Sequence, residues 1–190
     1  MLLAILTIML LNLGFKSSHE YFPDKKSILT ANFLHYDNFF PIATLELANR
    51  GIKDKIHIMY VYFDPSIDHL KTFPNNDNID VFTFKLTSEG KLHPTFDKSA
   101  LIISDTHKKY FTEGQEKFKR AKLNSSTNSL IDFSDEPEWW QNDQTPLNSK
   151  GKPMSFICQV DINEVFSDDC RLFVFYDHDD KIVKYIYQRD

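Results

Sequence analysis

The sequence predicts an α+β fold: a single domain dominated by antiparallel β-sheet, with one or two helices and a C-terminal hairpin or meander. Three observations predict it. The chain has 190 residues and is 42% apolar, with 17 Phe, 8 Tyr and 2 Trp, enough large side chains to fill one core without disulfides or metals. Short β-branched and aromatic runs recur along it, most of them ending in Asp, Asn or Pro. One longer stretch carries the spacing of an amphipathic helix.

Residues 1–15 are apolar apart from Thr7, Asn12 and Gly14, and Lys16, Ser17, Ser18, His19 and Glu20 follow abruptly. The run is shorter than the roughly 20 residues that span a bilayer, yet it matches the apolar region of an export signal. No Lys or Arg precedes it, and no clear small-x-small pair marks a cleavage site. Residues 1–18 are therefore expected to be an export signal or an uncleaved membrane anchor, with a buried first helix or an early start codon as rival readings. Export or anchoring places the protein outside the cytoplasm, in the periplasm, secreted or at the membrane; otherwise it is cytoplasmic. Residues 19–190 are expected to form the globular domain.

Residues 28–36 and 42–48 are apolar stretches separated by the turn-like Asp37, Asn38, Phe39, Phe40 and Pro41, and both read as strands. Residues 56–63 (IHIMYVYF) are β-branched or aromatic on both faces and stop at Asp64-Pro65, as expected of a central strand. In 81–86, Phe82, Phe84 and Leu86 share one face while Thr83 and Lys85 point away, which predicts a half-exposed strand. After the short apolar run 101–103, Ser104 or Asp105 is placed to cap a helix over roughly 106–122. Its stripe is Tyr110, Phe111, Gly114, Phe118 and Ala121, with Gly114 costing roughly 1 kcal/mol of helix propensity. Residues 124–129 (NSSTNS) read as a loop.

In 153–163, Met154, Phe156, Cys158, Val160 and Ile162 alternate with Ser155, Gln159, Asp161 and Asn163, and Ile157 alone breaks the pattern. That predicts a strand with one buried face. Residues 172–176 and 182–187 are two further strands joined by Asp177-His178-Asp179-Asp180, the C-terminal hairpin. Cys158 and Cys170 are not expected to pair. If 153–162 folds back on 171–177, Cys170 lies opposite about residue 163, about 16 Å along the strand from Cys158, against a Cα limit of about 7 Å. Cys158 is then a core residue and Cys170 a turn residue.

Twenty-two basic against 27 acidic residues leave a net charge of -5. The one basic cluster, residues 117–120 with Lys122, follows Glu113 and Glu116 and reads as a solvated helix face. Nucleic acid is not an expected partner, because phosphate neutralisation needs a concentrated positive field. No G-x-S-x-G, H-E-x-x-H, phosphate-cradling G-x-x-x-x-G-K or G-x-G-x-x-G occurs, and the seven His are not at metal-ligand spacing. No cofactor, metal or catalytic residue is assigned; a catalytic constellation would have to be assembled by the fold. The acidic turn 177–180 lacks the Gly and distal Glu of an EF-hand loop and reads as a solvated turn.

Pro137, Glu138, Trp139, Trp140 and Gln141, then Pro146, then residues 151–159 (GKPMSFICQ) and 172–177 (LFVFYD) resemble the C-terminal signature of the YwqG-like bacterial domain family. That signature is a P-x-W-[aliphatic]-Q element, a Gly-x-Pro-Met-x-Phe strand ending in Gln, and an aromatic strand. The resemblance covers about residues 136–190, with Trp140 in place of the usual aliphatic residue. It implies a sheet-dominated α+β protein without an established activity, often encoded beside interaction and toxin-defence systems, and it carries over no catalytic residue. What it carries over is Trp139, Trp140, Gln141 and Gln159.

Their functional reading is a ligand or partner surface, in which Trp supplies area and Gln directional hydrogen bonds. Their structural reading, which the sequence favours, is a Trp lid on the core with glutamines satisfying loop carbonyls. Three functions are in competition. The first is a non-enzymatic bacterial interaction protein, immunity-like, whose partner is another protein. The second is an envelope binder of carbohydrate or cell-wall ligands, stacking on Trp139, Trp140 or the tyrosines of 60–62. The third is an enzyme with a dispersed acid/base site drawn from carboxylates such as Glu138, Asp161 and Asp177. Gln159 carries a specific expectation: it lies opposite Met154, Phe156 and Cys158, beside Ile157, on a face covered by the 137–150 loop, whose main chain it bonds.

Overall fold

The computed structural model describes residues 18–67, 81–124 and 130–189; residues 1–17, and 125–129 of the polar loop, lie outside these. The described residues form two antiparallel sheets and two α-helices, a sheet-dominated α+β architecture. The first sheet has the order β1 (Ser18–Tyr21), β2 (Phe39–Glu46), β3 (Lys55–Val61). The second comprises β4 (Val81–Leu86), β5 (Leu92–Pro94), β6 (Ile131–Asp132), β7 (Ser155–Asp161), β8 (Cys170–Asp177) and β9 (Ile182–Arg189), in the order β5-β4-β9-β8-β7-β6. The expected C-terminal hairpin is β8-β9, in register from Cys170 opposite Arg189 to Asp177 opposite Ile182. Strands β1, β5 and β6 carry two to four residues each and had no counterpart among the strands expected from the sequence, because so short a segment shows no periodicity.

Residues 28–36 are not a strand. Asp24 accepts a hydrogen bond from the Lys26 amide and caps the four-residue α1 (Lys25–Ile28), and a 3-10 turn follows at Ala31–Phe33. Ile28, Leu29 and Phe33 are buried while Ala31 and Asn32 are exposed, the spacing of a turn rather than of a pleat.

One core lies between the sheets. The inner face of the large sheet supplies Phe82, Phe84, Cys158, Val160, Leu172, Val174, Tyr185 and Tyr187, all at most 1% exposed. Strand β3, expected to be central, is an edge strand by pairing. It reads as central because it is buried like one: its free edge faces β9, where the Tyr185 hydroxyl donates to the His57 carbonyl at 2.5 Å and the Val61 amide donates to the Tyr187 hydroxyl at 2.9 Å. Edge groups that would otherwise be orphaned are thus satisfied by side chains.

Helix α2 (Lys108–Asn124) packs Phe111, Phe118 and Ala121 on this core, while Tyr110, expected in the stripe, is 58% exposed. It starts two residues later than expected, since the Ser104 hydroxyl is drawn to Asp64 rather than to the helix. Gly114 has a positive reason to be glycine: a Cβ there would lie 2.0 Å from the Phe166 ring.

A β-bulge between Phe156 and Cys158 corrects the alternation expected for β7. The extra residue, Ile157, lets the strand change faces. Phe156 packs on the outer face with Met154, whereas Ile157, Cys158 and Val160 point into the inner core. Gln159 therefore shares the outer face with Phe156 instead of opposing it. Neither cysteine is in a disulfide and both are buried; Cys170 is fully buried at the start of β8 and is not a turn residue.

Candidate functional site

The outer face of the large sheet is apolar around Met154, Phe173, Phe175 and Ile186, and a strap formed by residues 133–153 crosses it. Trp139 is the lid, its ring 4.4 Å from Phe173 and stacked on Phe175 at 5.9 Å and 12°. Two glutamines pin the strap. Gln159, 3% exposed, accepts from the Glu138 amide at 2.9 Å and donates to the Asp132 carboxylate at 2.7 Å. Gln188, on β9, accepts from the Trp140 and Gln141 amides and donates to the Asn142 carbonyl at 2.9 Å. The expected anchoring of the loop by Gln159 is present, with one of its two bonds going to a side chain. Gln188 escaped the sequence reading, although its outward position on β9 was available as a signal.

Of the four residues singled out, Trp139 packs on the outer face of the sheet and Gln159 belongs to it, while Trp140 and Gln141 also reach the sheet, at Arg171 of β8 and Arg189 of β9. Trp140 is half-buried with the Arg171 guanidinium 4.8 Å above its ring, and Arg171 also pairs with Glu138 at 3.2 Å. Gln141 is exposed and donates to the Arg189 carbonyl at 2.7 Å. Tyr60 and Tyr62, the other candidate stacking platforms, are 1% and 7% exposed, so they are core residues. Glu138 and Asp177 do not converge: the Arg171 that Glu138 meets is six residues along β8 from Asp177, about 20 Å at strand rise.

The fold assembles a pair that the sequence did not show. Asp64, fully buried just after β3, accepts from the Ser66 amide and hydroxyl at 2.8 and 2.6 Å and from the Ser104 amide at 2.8 Å, with the Ser104 hydroxyl on the same carboxylate. Burial alone would raise this carboxyl, but the bonds from Ser104 and Ser66 outweigh it and hold its pKa at about 2. His107, at the entrance to α2, places Nδ1 3.0 Å from Asp64. The same nitrogen lies 3.4–3.5 Å from the hydroxyls of Ser66, Ser104 and Thr106, and Nε2 has no bond among the described residues. Forty-three positions separate the two residues in sequence, so no local spacing could reveal the pair.

A second histidine lines a cleft of about 290 Å³ with Glu20, Thr44, Asp54, Lys55 and Glu89. His57 Nε2 lies 2.7 Å from the Gly90 carbonyl, which can only accept, so Nδ1 accepts from the Thr44 hydroxyl at 2.9 Å. Burial lowers its pKa, partly opposed by the Gly90 bond, which makes the neutral ring the resident form. Asp54 is occupied by the Tyr176 hydroxyl and Lys181.

Among the described residues no group of three or more His, Cys, Asp and Glu is placed to hold a metal, and no helix is long and apolar enough to cross a membrane. Compared with protein families, with curated proteins and with solved structures, the chain finds no match.

Proposed function

We propose that this chain is a non-enzymatic interaction protein of the YwqG-like kind, immunity-like in role, that holds a partner protein against the patch built by Trp140 and Arg171. The observation that carries this reading is the contact between those two side chains on a strap fixed to the sheet. Trp and Arg dominate interface energetics where they are held in place. The bonds from Gln188 to the Trp140 and Gln141 amides reduce the ordering that binding would otherwise cost. The net charge of -5 suits a basic partner. The apolar leader supports an exported or membrane-anchored location, with the domain outside the cytoplasm.

The test is cross-linking with quantitative mass spectrometry in the native host, using the parent, Trp140→Ala, Arg171→Ala and a control changed on the far face of α2, Glu113→Ala. A protein retained by the parent and the control but lost by both patch variants is expected. No protein distinguishing the patch variants from the parent would end this reading.

A second reading is favoured by Asp64 and His107. A buried carboxylate 3.0 Å from Nδ1 beside an imidazole whose Nε2 has no bond among the described residues has the components of a general base and its orienting group. Hydrolysis of an activated ester by the parent and not by His107→Gln would support it. Equal rates for the two would remove it.

A further inference from the structure

On the outer face of the large sheet, between the strap and the acidic turn, a cavity of about 190 Å³ is lined by Leu147, Met154, Asp177, Asp180, Ile182 and Lys184. One side is cationic and the other anionic. Lys184 stands opposite Thr83 on one neighbour and Phe175 on the other. It is half-buried, and its Nζ has one bond among the described residues, a long 3.5 Å contact to the Leu147 carbonyl. Burial lowers its pKa, partly opposed by Asp177. Asp177 is 6% exposed; its Oδ1 accepts from the Asp179 amide at 3.1 Å, and its Oδ2 has no donor among the described residues. Asp179, by contrast, is taken by Lys150 at 2.6 Å, a bridge that ties the strap to the acidic turn.

An amine and a carboxylate thus face one cavity without pairing with each other. Charges withdrawn from water and left unpaired are costly, and a small ligand bearing both opposite charges relieves both. The cavity lies below the roughly 300–1,000 Å³ of drug-sized sites, so it admits only a small molecule. Met154 and Ile182 give it an apolar floor.

We propose that this cavity binds a small free amino acid with an aliphatic side chain, its ammonium between Asp177 and Asp180, its carboxylate on Lys184 and its side chain on Met154 and Ile182. The site stands apart from the Trp140–Arg171 patch, and either can fail without the other. The acidic turn, read from the sequence as a solvated turn, is on this reading one half of a zwitterion site.

The experiment is isothermal titration of the full chain with L-leucine, and separately with its two half-ligands, isopentylamine and 4-methylpentanoate. L-leucine is expected to bind and each half-ligand to bind at least about tenfold more weakly. Lys184→Met and Asp177→Asn should each abolish L-leucine binding. Asp180→Asn, in the turn, should weaken it and keeps the test open should a variant of the sheet fail to fold. The proposal is overturned if L-alanine, L-valine and L-leucine all fail to bind. It is equally overturned if 4-methylpentanoate binds as well as L-leucine, which would make the site a simple anion site, or if the variants bind as the parent does.

Discussion

The Tyr185 hydroxyl donates to the His57 carbonyl, so a side chain on the face of one sheet completes the hydrogen bonding of the edge of the other. Tyr187 does the same for the Val61 amide two residues further along β9. Tyr185→Phe and Tyr187→Phe should each destabilise the protein by about 1–3 kcal/mol, the cost of leaving a buried backbone group unsatisfied. Urea unfolding at constant m value measures it. Values within error of zero would show that water replaces the hydroxyls.

Gln159→Ala should cost roughly 1–2 kcal/mol through the lost Glu138 and Asp132 bonds. Gln188→Ala removes three bonds to the strap and should cost at least as much. Because Trp139 is held over Phe173 by that strap, its fluorescence should shift to the red in Gln188→Ala before global unfolding. Unchanged emission would mean that apolar stacking alone holds the strap.

Gly114→Ala pits two effects against each other. Alanine gains up to about 1 kcal/mol of helix propensity, while overpacking costs about 1–3 kcal/mol. With the new Cβ 2.0 Å from the Phe166 ring, overpacking wins and the variant should be less stable. Adding Phe166→Leu should recover part of that loss, a coupling that a double-mutant cycle would read directly.

Two pH windows follow from buried groups. His57 is held neutral, its folded pKa below the ordinary value of 6.5, so the unfolded chain takes up a proton that the folded one refuses. Stability should therefore fall as pH drops below about 6.5, and the fall should be shallower in His57→Gln. Asp64 works lower down. Its carboxyl is depressed from 3.8 to about 2, so its contribution is present above the ordinary value and is lost as pH falls towards about 2. Asp64→Asn should lose that acid-side dependence and should destabilise at neutral pH.

The strands that could be read from sequence were those whose pattern was decided by one face. Phe82, Phe84 and Leu86 alternate because β4 has a single core to meet, and the C-terminal hairpin announces itself by two aromatic runs around an acidic turn. Residues 153–163 misled because a strand with cores on both sides, bulged at Ile157, breaks the rule that one face is wet. Gln159 is covered as expected, but not on account of Ile157, which points into the inner core; the apolar neighbour on the face of Gln159 is Phe156. The contact of Asp64 with His107 was not legible, because the fold brings together residues 43 positions apart that share no local spacing. Cys170 was misplaced by reading a turn one residue too long.

The strand order has a consequence for how the molecule is made. Strand β4 pairs with β5 on one side, but its other partner is β9, with Val81 opposite Ile186, and β9 also lies between β4 and β8. During synthesis the first half of the large sheet must wait about a hundred residues for the strand that joins it to the second half. Until then the aromatic faces of β4 and β8 and the uncapped edge of β3 are all exposed at once. Topology of this kind slows folding and leaves a nascent chain open to association, so β9 acts as the closing step of assembly.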